Sequence, residues 1–339
     1  MGGLFMHKYE SNGIYNFLRE TEGTHNFMLV DITKSVLIVS KKDTMEPMLL
    51  VLDDRIQKDE VGKDFGEVNG ESEALFVGGK LSEKVNIPLV IIRYVDTEEE
   101  LSDASSIEIF LKKPFMEICE EGGNLQDLID LFNRLGIKAY REEQSPEKDE
   151  NDSLSSGFHK WQREHLNIGI FSDIDLVRIC NEEVVAIYEL KRSYISMEEW
   201  RPYLDDINDY IMLIRFCEVA NIPFSVVFVF QANEKQYADI LKSNEERINK
   251  YYYETRKMIK NQQEKYYDDV SRIKMFDFYH SSGRYEGYDL IPHCKGIVSI
   301  ETFVDNEVYN GAQLMDWEKY WNESEKNRKK RLSSINVSI

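Results

Sequence analysis

The stretch FSDIDLVRICNEEVVAIYELKRS, residues 171–193, sets Asp173, Asp175, Glu189 and Lys191 among Ile, Leu, Val and Tyr. In an extended chain alternate side chains share a face, so Asp173 and Asp175 fall together, with Ile174 and Leu176 opposite. Glu189 and Lys191 share a face of the next run by the same rule. The short polar turn Asn181-Glu182-Glu183 makes the two runs antiparallel neighbours. Two carboxylates 4 Å apart repel by about 4 kcal/mol at an effective dielectric of roughly 20, so both stay ionised only with a cation between them. Hard oxygen ligands on strands suit Mg²⁺ or Mn²⁺. An ammonium on the same face can orient or help deprotonate a water and neutralise a phosphate oxygen as charge builds there. These are the parts that hydrolysis of a phosphodiester needs. The plainer alternative is a solvated hairpin face with a cross-strand Glu–Lys pair.

The elements around this segment follow from apolar pattern. FMLVDI (27–32), SVLIVS (35–40), MLLVLDD (48–54), ALFVGG (74–79), PLVIIRYVD (88–96) and SIEIFLKK (106–113) are short, rich in branched residues and separated by turn signals, so each reads as a strand. NLQDLIDLFNRLGI is an amphipathic helix with Leu125, Leu128, Ile129 and Phe132 on one face and Gly136 as its stop. The charged stretch around Pro146 reads as a linker. A helix with Phe158, Trp161 and His165 then precedes a strand over 169–180 and another over 184–193. A second helix is expected from Ser196 to about Ala220, and FSVVFVF (224–230) has the composition of a strand buried on both faces. Between Lys235 and Ile273 an apolar stripe (Leu241, Ile248, Tyr252, Ile259, Tyr266, Val270, Ile273) predicts a long helix, a homodimer arm or a brace. MFDFYH (275–280) and GIVSIETFV (296–304) read as strands, followed by a closing helix. No internal repeat is read from the sequence.

The run SDIDLV, a turn, then IYELKRS, a helix and a buried strand resembles the PD-(D/E)xK, or restriction-endonuclease-like, nuclease core. The resemblance covers residues 155–232. It implies an α/β (α+β) fold with a mixed central sheet flanked by helices. The rest divides into a β-rich N-terminal domain (1–140), a charged linker (141–154) and a helical C-terminal extension with two further strands (233–339). Carried onto this chain, the resemblance makes Asp175 and Glu189 metal ligands and Lys191 the catalytic lysine. Glu164 is the helix candidate, and Asp173 a second ligand or an outer partner of Asp175. Ser172 stands where the family pattern has Pro. The implied cofactor is Mg²⁺ or Mn²⁺, and the implied substrate is nucleic acid, DNA ahead of RNA, as in restriction or phage defence.

Charge bears on that expectation. The formal net charge of −20 opposes general coating of nucleic acid, so binding must rest on a local patch or a partner. Lys160, Arg163, Arg192 and Arg201 are the candidates for a phosphate-contacting rim. His159 and His165 lack zinc spacing, and Gly78-Gly79-Lys80 is too short for a phosphate loop. The aromatic run 276–290 and the basic cluster from Lys326 to Arg331 read first as packing and as a solvated tail. No signal peptide or membrane span is read, and a cytoplasmic location is expected. Two rival functions stay open: a catalytically inactive scaffold that binds protein, and a sensor whose latent nuclease awaits a ligand or partner.

Overall fold

The computed structural model describes residues 27–29, 34–41, 44–63, 73–95, 106–138, 157–166, 169–180, 182–203, 206–233, 266–280, 290–299 and 303. The expected linker, most of the expected long helix, the closing helix and the basic tail lie outside them. In chain order the strands are β1 (Phe27–Leu29), β2 (Lys34–Lys41), β3 (Pro47–Ile56), β4 (Leu89–Val95), β5 (Ile107–Lys112), β6 (Ile118–Gly122), β7 (Gly169–Asp173), β8 (Leu176–Cys180), β9 (Glu183–Ser193), β10 (Phe224–Asn233), β11 (Tyr266–His280) and β12 (Leu290–Ser299). The helices are α1 (Glu73–Val85), α2 (Leu125–Arg134), α3 (Gly157–His165) and α4 (Ile207–Ala220). The fold is mixed α+β, built on two six-stranded mixed sheets ordered β6-β5-β4-β3-β2-β7 and β1-β8-β9-β10-β11-β12.

Four expectations change. The segment 74–79 is helical, because Ala74, Val77, Leu81 and Val85 recur at helical spacing and are all buried. Two glycines made it look like a broken strand; Gly78 lets α1 sit close to β4, since a Cβ there would meet the Leu89 side chain at 3.2 Å. The expected strand 169–180 is two strands in different sheets, β7 against β2 and β8 against β9. The helix expected from Ser196 is a single turn. Glu199 and Trp200 donate N–H to the Ser196 carbonyl, Trp200 buries its ring flat on Phe228 (centroids 4.3 Å apart), and Pro202 follows. The helix proper starts at Ile207. Residues 266–273 belong to β11, where Ile273 faces Val229 of β10.

The borders expected at 140 and 233 are not borders of packing. β7 joins the sheet of the N-terminal half, β1 joins the other sheet, and β11 and β12 continue the sheet of β10. One core contains Ile38, Leu50 and Leu52 of the first sheet, Ile187, Val226 and Phe276 of the second, and the inner faces of α1 and α4. The other face of the first sheet is closed by α2 and α3 through Leu128, Phe132, Phe158 and Trp161.

The two sheets are two copies of one topology. β2-β3-α1-β4-β5-β6 and β8-β9-α4-β10-β11-β12 are each a hairpin, a helix, a strand parallel to the hairpin's second strand, and two antiparallel strands. Both helices end in an Asn with left-handed backbone, Asn86 (φ 58°) and Asn221 (φ 54°), each followed by Ile-Pro. Leu50 N–H donates to the Pro88 carbonyl and Ile187 N–H to that of Pro223. Both copies carry a bulge at matching places, after Ile109 and after Met275, opposite positive-φ glycines Gly122 (φ 156°) and Gly296 (φ 129°). The edge strands are exchanged reciprocally: Phe27 pairs with Arg178, and Phe171 pairs with Val39. The helices of the two copies, α1 and α4, pack against each other.

The bulge glycines are testable. A Cβ at Gly122 would approach the Asp127 side chain at 2.4 Å and sit in a strained backbone region. Gly122→Ala is expected to lower stability by about 2–3 kcal/mol, read by urea denaturation.

Candidate active site

The site forms where the chain crosses between the sheets. Ile174 N–H donates to the Val36 carbonyl of β2 at 3.0 Å, and the next residue turns into the other sheet, where the Asp175 carboxylate accepts the Leu190 N–H at 2.7 Å. The antiparallel register Leu176–Tyr188 brings Asp175 beside Glu189 on β9. Lys191, two residues on, shares the Glu189 face, and its Nζ lies 2.9 Å from Glu189 Oε1. The expected hairpin and pairing are present, but Asp173 is not on the strand of Asp175. It ends β7, opposite Leu37, and is exposed.

The first turn of α4 closes the site, and the sequence reading missed it. Asp206 Oδ2 lies 3.1 Å from Lys191 Nζ and accepts the Tyr210 hydroxyl at 3.3 Å. Lys191 Nζ stands 5.7 Å from the Tyr210 ring centroid. Asp206, Asp209 and Tyr210 fall at i, i+3 and i+4, one helix face. The signal was three polar side chains opening a helix whose next turn, Ile211–Ile214, is apolar and buried. Starting the helix at Ser196 hid it, and acidic residues at a helix start are commonly satisfied by the helix dipole.

Electrostatics follow from burial. Asp175 is pushed up to about 7, first by desolvation and then by the Asp173 charge. Glu189 is raised well above the usual carboxylate range by desolvation, then by Asp175. Desolvation alone would pull Lys191 down, but Glu189, Tyr210 and Asp206 outweigh it and hold the ammonium well above its ordinary range. Burial raises Asp209 and Tyr210 as well. Four carboxylates, Asp175, Glu189, Asp206 and Asp209, therefore act on one lysine.

A lysine from outside the expected core steadies this arrangement. Lys274 of β11 is fully buried; its Nζ donates to the carbonyls of Glu198 (3.0 Å) and Trp200 (3.1 Å) and sits 5.3 Å from the Phe276 ring centroid. Burial and the Arg201 charge bring it down to about 8. Lys274 thus pins the segment joining β9 to α4, both of which carry site residues.

The expected basic rim is only partly described. Arg201 directs its guanidinium to the carbonyls of Glu198 and Trp200, and Arg192 is half-buried on β9. Lys160, Arg163 and Glu164 lie on α3, but their side chains fall outside the described residues. His165 is buried, its ring stacked 5.5 Å from Trp161 as a packing element. Phe276 and Phe278 also serve packing, against Trp200 and Tyr210. Among the described residues no group of three or more His, Cys, Asp or Glu side chains is arranged to hold a metal ion. The Asp175–Glu189 pair nonetheless suits a hard divalent cation, since Mg²⁺ takes one or two carboxylates and completes its shell with water and phosphate oxygens. Among the described residues no helix is long and apolar enough to cross a membrane. Comparison with family models, curated proteins and solved structures finds no match to this chain.

The raised Asp175 pKa fixes the sign of a pH effect. The folded state holds that proton more tightly than the unfolded chain, so its stabilisation is present below the unfolded value of 3.8 and is lost as pH rises to about 7. In EDTA, Asp175→Asn is expected to melt above wild type at pH 8, with the gap closing toward pH 4. Parallel melting curves across that range would count against a buried, strained carboxylate.

Proposed function

We propose that the chain is a metal-dependent nuclease with a restriction-endonuclease-like core, hydrolysing phosphodiester bonds of nucleic acid, DNA ahead of RNA. One observation carries this reading: two partly buried carboxylates, Asp175 and Glu189, resist ionisation while a lysine ammonium stands 2.9 Å from one of them. A structural ion pair would match one cation to one anion. Here the excess of carboxylate is what a divalent cation would relieve. The order helix α3, hairpin β8–β9, helix α4 and central strand β10 supports the resemblance in SDIDLV…IYELKRS, although β7 lies in the other sheet.

Asp175 and Glu189 would hold Mg²⁺ or Mn²⁺, with Asp173 at the exposed side. When bound, such an ion polarises a phosphate oxygen and lowers the pKa of water. The chain's own residues supply the rest. The Leu190 N–H fixes one oxygen of Asp175 and so orients the carboxylate beside Glu189. Lys191 acts as an ammonium, because Glu189 and Asp206 keep it protonated. Its task is to orient a water and to neutralise charge at the phosphate. The Tyr210 hydroxyl holds Asp206, and Asp206 holds Lys191 against the Glu189 face.

A second reading has its own support. With Asp206 and Asp209 added to Asp173, Asp175 and Glu189, the field at the site opposes a phosphate backbone. That favours a latent enzyme, whose cation or partner must neutralise the site before nucleic acid approaches.

The test is cleavage of plasmid and single-stranded DNA with Mg²⁺, Mn²⁺ or EDTA. Glu189→Ala and Lys191→Ala are each expected to slow cutting by about 10²-fold or more, and EDTA to abolish it. A folded wild type that neither cuts nor binds Mn²⁺ by calorimetry would overturn the nuclease reading. Mn²⁺ binding without cutting would favour the latent enzyme.

A further inference from the structure

We infer that Tyr203 is a stacking residue for a base of the substrate, so that the site takes single-stranded nucleic acid ahead of duplex. This rests on the nuclease reading and adds to it the strandedness of the substrate.

Strand β9 sets the position. Glu189, Lys191 and Ser193 alternate along it and share one face, with successive side chains about 7 Å apart. The Ser193 hydroxyl oxygen accepts the Tyr203 hydroxyl at 3.1 Å and the Ile195 N–H at 3.2 Å. Tyr203 therefore returns, after the chain has left β9, to the face that carries the site, one step beyond Lys191.

The ring is held in place there, yet it is not used for packing as its neighbours are. Trp200 is fully buried and lies flat on Phe228, the residue that pairs with Lys191 across the parallel strands. Tyr203 meets Trp200 at 5.8 Å between centroids and 87° between planes, so it stands out of that flat stack and is 38% exposed. Tyr194, directly after Ser193, is 62% exposed. Among the described residues the other exposed aromatic side chain is Phe115, on the β5–β6 turn. Two of the three thus lie in the short segment that joins β9 to α4, the elements that supply Glu189, Lys191 and Asp206.

A fixed aromatic surface solves a problem that the charges create. Asp175, Glu189, Asp206 and Asp209 oppose the approach of phosphates, and a duplex carries about twice the charge per length of a single strand. Stacking of a base on an aromatic ring draws on no net charge and tolerates any sequence, so it supplies affinity where the field cannot. In a duplex each base is already stacked on its neighbours and must leave the helix to reach such a ring. A single strand offers its base faces freely.

The experiment measures binding of a labelled oligo(dT), and of its duplex with oligo(dA), by fluorescence anisotropy with Mn²⁺ in a Lys191→Ala background that cuts slowly. Initial rates of cutting are followed in parallel with Lys191 intact. Tyr203→Ala is expected to weaken oligo(dT) binding by about 10-fold or more, with the loss in cutting falling on KM rather than kcat. Tyr203→Phe keeps the ring and should restore binding, and the duplex should bind more weakly than oligo(dT) in every case. If Tyr203→Ala fails to fold, Tyr203→Leu keeps an apolar contact with Trp200 while removing the aromatic face. Unchanged binding by Tyr203→Ala overturns the inference, as does a preference for duplex. An equal loss in Tyr203→Phe overturns it too, since that would assign Tyr203 to its hydrogen bond with Ser193. A protein that binds oligo(dT) through Tyr203 but neither cuts nor shows Mn²⁺ heat overturns the nuclease reading and leaves the stacking residue standing. Cutting that is indifferent to Tyr203 does the reverse.

Discussion

Two adjacent residues, Ile174 and Asp175, form the link between β7 of one sheet and β8 of the other, and the rest of the molecule depends on that crossing. Ile174 is tied by its N–H to β2, and Asp175 by its carboxylate to β9. The crossing lets β7 complete one sheet while β8 starts the other. It also delivers a carboxylate into a place where burial and the Asp173 charge oppose its ionisation, beside Glu189, which burial raises as well. A chain does not bury such a pair for stability alone, because desolvation of like charges works against folding. The cost is met by the shared core around α1 and α4 and by the backbone hydrogen bond that Asp175 gains.

The duplicated topology explains how that strain is tolerated. Each copy lends an edge strand to the other, so the edges beside the hairpins are covered and the two sheets cannot part without breaking backbone ladders. One copy is stapled by the ion pairs of Arg93 with Asp54 and Glu108. The other keeps its acidic site and is braced from behind by Lys274 and by the stack of Trp200 on Phe228. Rigidity on one side supports a strained site on the other.

Much of the local structure was legible. Strands β2 to β5, the helix α2 with its Gly136 stop, the hairpin β8–β9 and the central strand β10 follow from apolar runs and turn chemistry. ALFVGG was misread because an apolar run of six residues carries no period that separates strand from helix. The duplication was not legible. Its surviving sequence trace is little more than Asn86-Ile87-Pro88 against Asn221-Ile222-Pro223, since a sheet core constrains size and polarity rather than identity.

By itself the sequence determined which residue types could do chemistry: the alternation in SDIDLV and IYELKRS placed carboxylates and a lysine in strands that had no need of them. Only the tertiary structure decided which of them meet. Asp173 ends a strand of one sheet while Asp175, two residues on, is bonded to the other, whereas Asp206 and Tyr210, fifteen and more residues beyond Lys191, closed around it. Local periodicity sets the face on which a side chain emerges. What stands across from that face depends on sheet order, strand exchange and the start of the next helix, none of which is written within a strand's own length.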